Sequence, residues 1–346
     1  MLAARVKLKD AEETRRFLME RGLLDRARLL DKDSEFIYFP ISRKFKPPRG
    51  CDIVRREFGL NPVKIDWKGL LVERGIIEGK TARELHSAFD GMGDIAVIEI
   101  PPEFQKIEGE IGRAFLETHG QFRAVAKKTS AVKGKYRVKG LKVIAGRKGL
   151  ITFYRESGCI FHIDLGKVYF SPRLGFERER IAKEVGKGEK VLALFAGAGF
   201  YPIIIAKRQP KCKIRAIELN PVAVKYMAEN IPINKMQDRI EGIGGDVGKL
   251  LLEGRFQRWA DRITMPLPHD GHKFLDAAIR AAAKNCIIHF YYIPHGDGED
   301  GIVGARKKIT DACKAAGRKF KTILERKVKT YAPHVDEVVI DFKLIN

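Results

Sequence analysis

The stretch Lys187-Gly-Glu-Lys-Val-Leu-Ala-Leu-Phe-Ala-Gly-Ala-Gly-Phe-Tyr-Pro-Ile-Ile-Ile-Ala-Lys207 decides the fold of this chain. Its apolar run ends in Phe195, glycines follow at Gly197 and Gly199, and helical spacing of apolar residues then resumes. This order predicts a strand, a tight turn and a helix. Because glycine lacks a Cβ, such a turn lets the backbone approach a ligand closely. The stretch predicts a nucleotide-binding α/β unit, and the alternative is that the glycines serve only tight packing.

A second apolar strand, Ile214 to Ile217, follows and ends in Glu218. A carboxylate at this position can accept hydrogen bonds from both ribose hydroxyls of an adenosine. The turn lacks the GxGxxG pattern that places a pyrophosphate on a helix N-terminus, and no GxxxxGK[ST] follows it. The pattern therefore favours a nucleoside cofactor without a phosphate, and S-adenosylmethionine fits this description.

Composition limits the class of protein. The 346 residues are enough for two or three domains with cores of their own. The five cysteines stand singly, without a CxxC, so we expect no disulfide framework, no structural zinc site and a reducing, cytoplasmic compartment. His269 and His272 lack a third ligand and are interpreted as loop residues, so no metal is expected. No apolar run approaches the ~20 residues of a membrane span, and we expect no membrane contact.

The charge of the chain points to a polyanionic partner. Its 66 basic residues exceed its 44 acidic ones, which gives a net charge of +22. Such an excess is typical of proteins that bind nucleic acid and, less often, membrane surfaces. A thermophile-like surface would have more nearly equal numbers of basic and acidic residues. The densest basic segment, residues 121–150, contains no Asp or Glu and is expected to contact phosphates. Its basic residues are Arg123, Lys127, Lys128, Lys133, Lys135, Arg137, Lys139, Lys142, Arg147 and Lys148.

Three domains are predicted. Residues 1–60 form a small α+β module, residues 61–167 form a basic α+β domain, and residues 168–346 form a Rossmann-like α/β domain. In the third domain strands alternate with helices, which predicts an open, mostly parallel sheet. Ligands of such sheets bind beyond the carboxyl ends of the strands. Phe195, Glu218, Asp246 and Pro266 fall at those ends.

Four local expectations concern single elements and the connections between them. Residues Asp52 to Phe58 are expected to form a short helix, followed by a linker from about Asn61 to Trp67. A later helix is expected from about Lys273 to Lys284, and a strand is expected to begin at Cys286.

Several segments resemble one enzyme family, the archaeal and eukaryotic tRNA (guanine-37, N1)-methyltransferases. The segments are Phe-Asp-Gly-Met-Gly-Asp-Ile-Ala (Phe89 to Ala96), Phe-Ser-Pro-Arg-Leu-Gly-Phe-Glu-Arg (Phe170 to Arg178), Phe-Ala-Gly-Ala-Gly (Phe195 to Gly199), Ile-Glu-Leu-Asn-Pro (Ile217 to Pro221) and Thr-Tyr-Ala-Pro (Thr330 to Pro333). The resemblance covers most of residues 85–346, and the N-terminal module fits in position and size. It implies a class I, Rossmann-like methyltransferase that uses S-adenosylmethionine, preceded by two smaller domains that grip tRNA.

The resemblance also implies roles for individual residues. Glu177 matches the general base, Arg137 matches the arginine that steadies the guanine, and Arg173 would position the site. The residues expected to bind the cofactor are Arg178 and Phe195 (methionine part), Glu218 (ribose), Asp246 (adenine), and Gly197, Gly199, Leu219, Val247 and Pro266. Taken alone, Glu177 and Arg178 could be ordinary first-turn helix charges, and Arg137 could be a phosphate contact.

The chemistry requires such groups independently. Guanine N1 carries a proton at neutral pH, so a carboxylate within hydrogen-bond reach should remove it as the methyl group arrives. Negative charge then grows on O6, where a fixed arginine stabilises it. The target lies in an anticodon loop and must be splayed out into the pocket. The resemblance thus implies that the partner is tRNA, and a monomer without protein partners is expected.

Two departures from the family pattern bear on the base and on the geometry of the cofactor site. Pro266-Leu267-Pro268 stands where many members have Asn-Leu-Pro, and it resembles an archaeal branch that also methylates the wyosine precursor imidazoguanosine. Ala193 stands where an acid is common, and Phe200-Tyr201-Pro202 is unusual. One alternative is the aminocarboxypropyl transferase of wybutosine synthesis, against which Arg173 argues. Another is an inactive RNA-binding protein, against which the retained acids and glycines argue.

Overall fold

The computed structural model describes residues 1–60, 65–130, 134, 136–138, 140–294 and 300–345. The chain divides into two compact units, Met1–Asp66 and Trp67–Asn346. Residues 61–64 of the expected linker lie outside the described residues. In the described part of the chain, no helix has the length and apolar character needed to cross a membrane.

The first unit is an antiparallel sheet with one helix. Its elements are β1 (Leu2–Lys7), α1 (Ala11–Glu20), β2 (Asp31–Lys32), β3 (Phe36–Pro40) and β4 (Cys51–Arg55). The strand order is β2-β3-β1-β4. Val6 and Phe39 from the sheet and Leu18 from the helix are buried together in its core. Gly22 has a φ of +62°, which suits a residue just past a helix end.

The prediction of a short helix from Asp52 to Phe58 is wrong. Residues Cys51–Arg55 form β4, which pairs antiparallel with β1 over five residue pairs. Ile53 and Val54 are β-branched and fit a half-buried strand, and Asp52 forms an ion pair of 2.7 Å with Arg5 across the pair. Tertiary pairing therefore overrides the weak local helix signal.

The second unit opens with a four-stranded mixed sheet. Its elements are α2 (Trp67–Glu73), β5 (Phe89–Met92), β6 (Ile95–Ile98), α3 (Glu108–Thr118), β7 (Ala124–Lys128) and β8 (Leu141–Gly146). The strands follow the order β5-β6-β7-β8, and only β6 and β7 run parallel. The basic segment thus contains two strands, and the alanines of β7 are buried while its lysines are partly exposed.

The remaining elements form the larger sheet and its helices. They are β9 (Ile151–Glu156), β10 (Cys159–Asp164), α4 (Gly175–Glu184), β11 (Lys190–Leu194), α5 (Phe200–Arg208), β12 (Lys213–Glu218), α6 (Pro221–Ile233), β13 (Ile240–Gly244), α7 (Val247–Leu252), β14 (Ala260–Met265), α8 (Leu275–Ala281), β15 (Ala282–Tyr292), α9 (Gly301–Ala315), β16 (Lys319–Ala332) and β17 (Val335–Ile345). Short 3-10 turns cover Leu8–Asp10, Thr81–Arg83, Pro102–Ile107, Pro172–Leu174 and Gly271–Phe274.

The large sheet confirms the predicted Rossmann-like class. Its seven strands follow the order β13-β12-β11-β14-β15-β17-β16, and the first five are parallel. The chain moves outward from β11 to β12 and β13 and then returns to β14 on the other side. This reversal of strand order creates a crevice at the carboxyl ends of β11 and β14, where open α/β sheets bind ligands.

Both faces of this sheet are covered, which explains why β11 reads as a continuous apolar run. Val191 and Ala193 face a core that also contains residues of α5 and α6, whereas Leu192 and Leu194 face a core shared with α7, α8 and α9. Alternate residues of a strand point to opposite faces, so a strand buried on both sides must be apolar throughout.

The helix expected from Lys273 to Lys284 is too long. It begins as a 3-10 turn, α8 ends at Ala281, and β15 starts at Ala282. Asn285 adopts a left-handed conformation with a φ of +64°, and the register between β14 and β15 shifts there. The chain therefore enters the sheet through a bulge before the apolar part of β15 begins.

The hairpin of β9 and β10 is fastened to α6 by asparagine side chains. Asn230 is fully buried and accepts a hydrogen bond from the His162 N–H at 2.7 Å. Its Nδ2 donates to the carbonyls of His162 and Ala198, each at 3.0 Å. Because Ala198 belongs to the glycine turn after β11, this one amide joins the hairpin, α6 and the turn.

Replacing this amide should destabilise the unit. We expect Asn230→Ala to lower the free energy of unfolding by about 2 to 4 kcal/mol, because three buried backbone groups lose their partner. Chemical denaturation would measure the loss. Asn234→Ala is the matched control, since Asn234 bonds Ile160 in the same hairpin from a half-buried position and should cost less. An Asn230→Ala protein as stable as the wild type would contradict this role.

Candidate active site

A cavity of about 390 Å³ opens at the carboxyl ends of the parallel strands. Phe195 follows β11, Glu218 ends β12, Asp246 follows β13 and Pro266 follows β14, and all four line the cavity. The strand-order reversal therefore brings together residues that are distant in sequence. The cavity is the candidate active site.

The turn after β11 is built from left-handed residues. Phe195, Gly197 and Gly199 have φ values of +56°, +57° and +92°. A Cβ at Gly199 would come within 3.0 Å of Ile203 and 3.2 Å of Met227, so Gly199 serves close packing beneath the turn. A Cβ at Gly197 would find only the Tyr169 carbonyl, at 3.9 Å, so this glycine borders open space. Of the two glycines, Gly197 alone lines the cavity among the described residues.

Glu218 connects this turn to the next strand. Its carboxylate accepts hydrogen bonds from the Gly197 N–H and the Asn220 N–H, both at 2.7 Å. Burial raises the pKa of this carboxyl, and the backbone N–H groups of Asn220, Gly197 and Leu219 act in the opposite direction. A carboxylate oxygen can accept more than one hydrogen bond, so Glu218 retains acceptor capacity for a ligand in the cavity.

Two further segments of this wall are a helix N-terminus, capped by Asp246, and a backbone turn at Pro266. Asp246 begins α7 by accepting a hydrogen bond from the Lys249 N–H at 3.1 Å, and Val247 follows it in the lining. Pro266 is the central residue of a three-residue turn in which the Leu267 N–H donates to the Met265 carbonyl at 2.9 Å. The Phe195 ring meets the ring of Phe274 edge to face, with centroids 5.1 Å apart. This side of the cavity thus combines apolar side chains with the carboxylates of Glu218 and Asp246.

The rest of the lining forms the second wall, which is rich in charged and aromatic residues and comes from four separate segments. Arg137 lies between β7 and β8, and its Nη1 is 3.7 Å from an Asp270 carboxylate oxygen. Lys329 and Tyr331 on β16 and Glu337 on β17 also face the cavity. The other side chains of this wall include Tyr136, Tyr169, His269 and Lys273. Burial, followed by the nearby Glu337 charge, raises the pKa of Tyr169 to about 12.

Arg178 lies behind the glycine turn and outside the described lining of the cavity. It is buried and forms a bidentate pair with Glu156, with both distances 2.6 Å, and donates to the Ser171 carbonyl at 3.2 Å. Its guanidinium lies over the rings of Phe170 and Phe200. Buried bidentate pairs fix geometry strongly, so Arg178 supports the segment before α4.

Arg173 is the most exposed of the predicted site residues near α4. Its side chain is 62% exposed, and its Nε donates to Asp90 of β5 at 3.0 Å. This bond links the 3-10 turn before α4 to the four-stranded sheet. Arg173 is outside the described lining of the cavity.

Glu177 is buried among cations and lies outside the same described lining. Its side chain is 2% exposed, Arg180 approaches it at 3.0 Å, and Arg326 pairs with its other oxygen. The Tyr291 hydroxyl donates to it at 2.7 Å. Both carboxylate oxygens are therefore engaged in this structure.

The ionic network continues from Arg180 into the sheet. Asp341 accepts from Arg180 at 2.5 Å and from His289 Nδ1 at 2.7 Å. Because an arginine can only donate, the contact of Arg262 with His289 Nε2 at 2.8 Å makes that nitrogen the acceptor. Glu184, His289 and Asp341 have the spacing of a metal cluster, but Arg180 and Arg262 already occupy their acceptor atoms.

The predicted residues thus separate into two groups. Those that line the cavity are Arg137, Phe195, Gly197, Glu218, Leu219, Asp246, Val247 and Pro266. Those outside its described lining are Gly199, Arg173, Glu177 and Arg178. The sequence reasoning missed Tyr169, Lys329 and Glu337. Tyr169 precedes the Phe-Ser-Pro-Arg segment and Lys329 precedes Thr-Tyr-Ala-Pro, so proximity to these motifs was the available signal.

The basic segment 121–150 is only partly available to a polyanion. Arg123 pairs with Asp94 at 2.7 Å, Lys128 with Glu99 at 2.6 Å, and Lys127 and Lys142 share Glu108. Arg147 and Lys148 are exposed. Lys133, Lys135 and Lys139 lie outside the described residues. Acids distant in sequence thus neutralise part of a segment that contains none.

Comparison with known protein families covers nearly the whole chain. Residues 152–321 match the TRM5/TYW2 methyltransferase domain, residues 71–149 match the TYW2 N-terminal domain, and residues 3–48 match the tRNA methyltransferase 5 N-terminal domain. The first match contains the glycine turn, Glu218 and Asp246, and the second contains Arg137.

Individual relatives agree with this assignment. The chain is 35% identical to the tRNA (guanine(37)-N(1))-methyltransferase Trm5b of Pyrococcus abyssi over 344 residues, which is 99% of both chains. The crystal structure of Pyrococcus abyssi Trm5b superposes with a TM-score of 0.77 at 34% identity, covering 100% of both chains. The complex structure of aTrm5 and tRNALeu gives 0.70 at 29% identity, again covering 100% of both. The chain therefore belongs to the family of tRNA (guanine(37)-N(1))-methyltransferases within the TRM5/TYW2 group.

Proposed function

We propose that this chain transfers a methyl group from S-adenosylmethionine to N1 of guanosine 37 in the anticodon loop of tRNA. The observation that carries the proposal is one cavity whose lining combines two unlike sets of residues, called here its two walls. One wall consists of the glycine turn, Glu218 and Asp246, and the other presents Arg137 and Lys329. A nucleoside cofactor and a base that gains negative charge require such walls within reach of each other.

The first wall is the proposed cofactor site. Glu218 accepts the ribose hydroxyls with the lone pairs that Gly197 and Asn220 leave unused. Asp246 meets the adenine, and Phe195 contacts the methionine part beside Gly197. Leu219, Val247 and Pro266 complete the apolar lining. Gly199 and Arg178 act from behind the turn by holding its shape.

The second wall is the proposed base site. Arg137 donates to O6, where negative charge grows as N1 loses its proton. Glu177 is the proposed proton acceptor, which requires that a contact with Arg180, Arg326 or Tyr291 open when the substrate enters. Arg173 positions the segment before α4 through its bond to Asp90.

The proposed partner is tRNA, which matches the net charge of +22. Exposed cations such as Arg147 and Lys148 contact its phosphates, while the target base leaves the loop and enters the cavity. The chain acts as a monomer without a protein partner. Its five cysteines are free and buried, in keeping with the reducing cytoplasm that we propose as its compartment.

A second candidate activity is methylation of the wyosine precursor imidazoguanosine. Pro266-Leu267-Pro268 lines the cavity without a side-chain amide, so this edge offers shape rather than hydrogen bonds to the base. A tricyclic base presents a larger apolar edge than guanine, which this segment can accommodate.

Mapping the product is the direct test of the proposed function. Unmodified tRNA incubated with methyl-labelled S-adenosylmethionine should gain label only at base 37, as 1-methylguanosine, detected by nuclease digestion and mass spectrometry. An aminocarboxypropyl product would favour the wybutosine alternative. Label at another base would contradict the site, and absence of any product would favour an inactive RNA-binding protein.

Cofactor binding should depend on the Glu218 carboxylate. We expect Glu218→Gln to weaken S-adenosylmethionine binding by about 10- to 100-fold, since hydrogen bonds to a charged group contribute about 1.5 to 3 kcal/mol. Isothermal titration calorimetry would measure the dissociation constant. Glu241→Gln is the control, because Glu241 lies on the neighbouring β13 but is exposed and paired with Arg215 and Arg255. Equal affinity of the Glu218→Gln protein and the wild type would exclude the ribose role.

The proton-acceptor role of Glu177 predicts a defect in chemistry. Glu177→Gln should slow single-turnover methylation by about 10²- to 10⁴-fold, the usual contribution of a general base. It should also lower the melting temperature, because Arg180 and Arg326 lose a buried partner. Glu179→Gln, on the same helix and partly exposed, is the control. A folded Glu177→Gln protein that binds the cofactor and methylates at the wild-type rate would remove Glu177 as the base.

A further inference from the structure

The base site contains an ion pair between a half-buried lysine and a buried glutamate that the proposed roles do not use. Glu337 of β17 is 3% exposed and lines the cavity. Its Oε2 is 3.2 Å from Nζ of Lys329, its partner across the β16–β17 hairpin, and Lys329 lines the cavity as well. Burial of a carboxylate is costly unless a cation compensates for it, so Glu337 holds Lys329 in place.

A neighbouring pair shows what an ordinary ion pair on this hairpin looks like. Lys327 and Asp336 approach to 2.8 Å on the same two strands, but their side chains are 53% and 39% exposed. They are outside the described lining of the cavity. The Lys329–Glu337 side chains are 26% and 5% exposed, so this pair is held within the wall of the cavity.

The other cations of the described base site, Lys273 and Arg137, face a different acid, Asp270. Lys273 pairs with Asp270 at 2.7 Å and is 63% exposed. Arg137 faces the same aspartate at 3.7 Å. The segment from Pro266 to Pro268 has no side-chain donor. Lys329 therefore differs from them in its partner, because Glu337 is almost fully buried in the sheet and lines the same cavity.

We propose that Lys329 is a catalytic cation for the target base and that Glu337 is its positioning residue. This inference rests on the proposed function. As the N1–methyl bond forms, the sulfur–methyl bond breaks and its electron pair returns to sulfur, while the N1 proton passes to a carboxylate. The electron density released by that proton is shared with O6. Lys329 donates to O6 alongside Arg137 and stabilises this charge, and Glu337 keeps the ammonium aimed at the base.

The test compares two lysines of one hairpin. Single-turnover rates are measured at saturating tRNA and S-adenosylmethionine for Lys329→Met and Lys327→Met. We expect Lys329→Met to slow methylation by about 10²-fold, the usual cost of removing one donor from a developing oxyanion. Lys327→Met should leave the rate unchanged. Lys329→Arg should recover most of the rate, because it restores a donor of the same charge.

The Glu337 role is tested in the same assay. Glu337→Gln should slow the reaction by a smaller factor, and combining it with Lys329→Met should add little, because Glu337 acts through the lysine. Asp336→Asn is its control. Melting temperature and cofactor affinity are measured for each variant, and Lys329→Gln replaces Lys329→Met if the latter does not fold.

Two results would overturn the inference. If Lys329→Met weakens tRNA binding but reacts at the wild-type rate at saturation, Lys329 is a phosphate contact. If the rates of Lys329→Met and Lys327→Met are equal, the pair only stabilises the hairpin. Both outcomes differ from failure of the proposed function, in which the wild-type protein itself would not methylate base 37.

Discussion

Glu218 accepts hydrogen bonds from two backbone N–H groups that follow different strands, and the candidate site depends on this interaction. The Gly197 N–H belongs to the turn after β11, and the Asn220 N–H begins the connection to α6. Both bonds are 2.7 Å long, and burial strengthens them because water competes poorly in the cavity wall. The left-handed turn and the α6 N-terminus are thereby held as one surface.

The second wall of the cavity is held by ion pairs rather than by backbone hydrogen bonds. Many of its residues come from the β7–β8 connection, from the loop after β14 and from the C-terminal hairpin. In this hairpin β17 lies between β15 and β16. Ion pairs hold these segments, since Arg137–Asp270 joins two of them and Lys329–Glu337 lies within the hairpin. The cofactor side is therefore fixed by backbone geometry, whereas the base side is fixed by charge. Such a division suits an enzyme whose substrate enters as a splayed nucleotide.

The parallel sheet and the cofactor side could be predicted from the sequence, because their signals are local. A strand buried on both faces must be apolar, a turn with positive φ favours glycine, and an acid at the end of the next strand is close in sequence. The antiparallel strand β4 was missed because its pairing with β1, about fifty residues away, outweighs its own propensity.

The base side could not be derived in the same way. Lys329 and Glu337 are ordinary charged residues in sequence. Only the register of the hairpin brings them together as an ion pair in the wall of the cavity. The basic segment appeared uniformly cationic because its neutralising acids, such as Glu108 and Asp94, lie outside it. The surroundings of Glu177 likewise depend on Arg326, about 150 residues further along the chain. Long-range ion pairing leaves no periodic signal.

The central claim is that one cavity holds the cofactor and the target base together. A crystal structure of this protein with S-adenosylhomocysteine and a full-length tRNA tests it most directly. The account predicts the ribose on Glu218, the sulfur beside the glycine turn, and guanine 37 turned out of the loop with its Watson–Crick edge facing the sulfur. A base 37 that stays stacked in the loop, or a cofactor bound away from Glu218, would contradict the account.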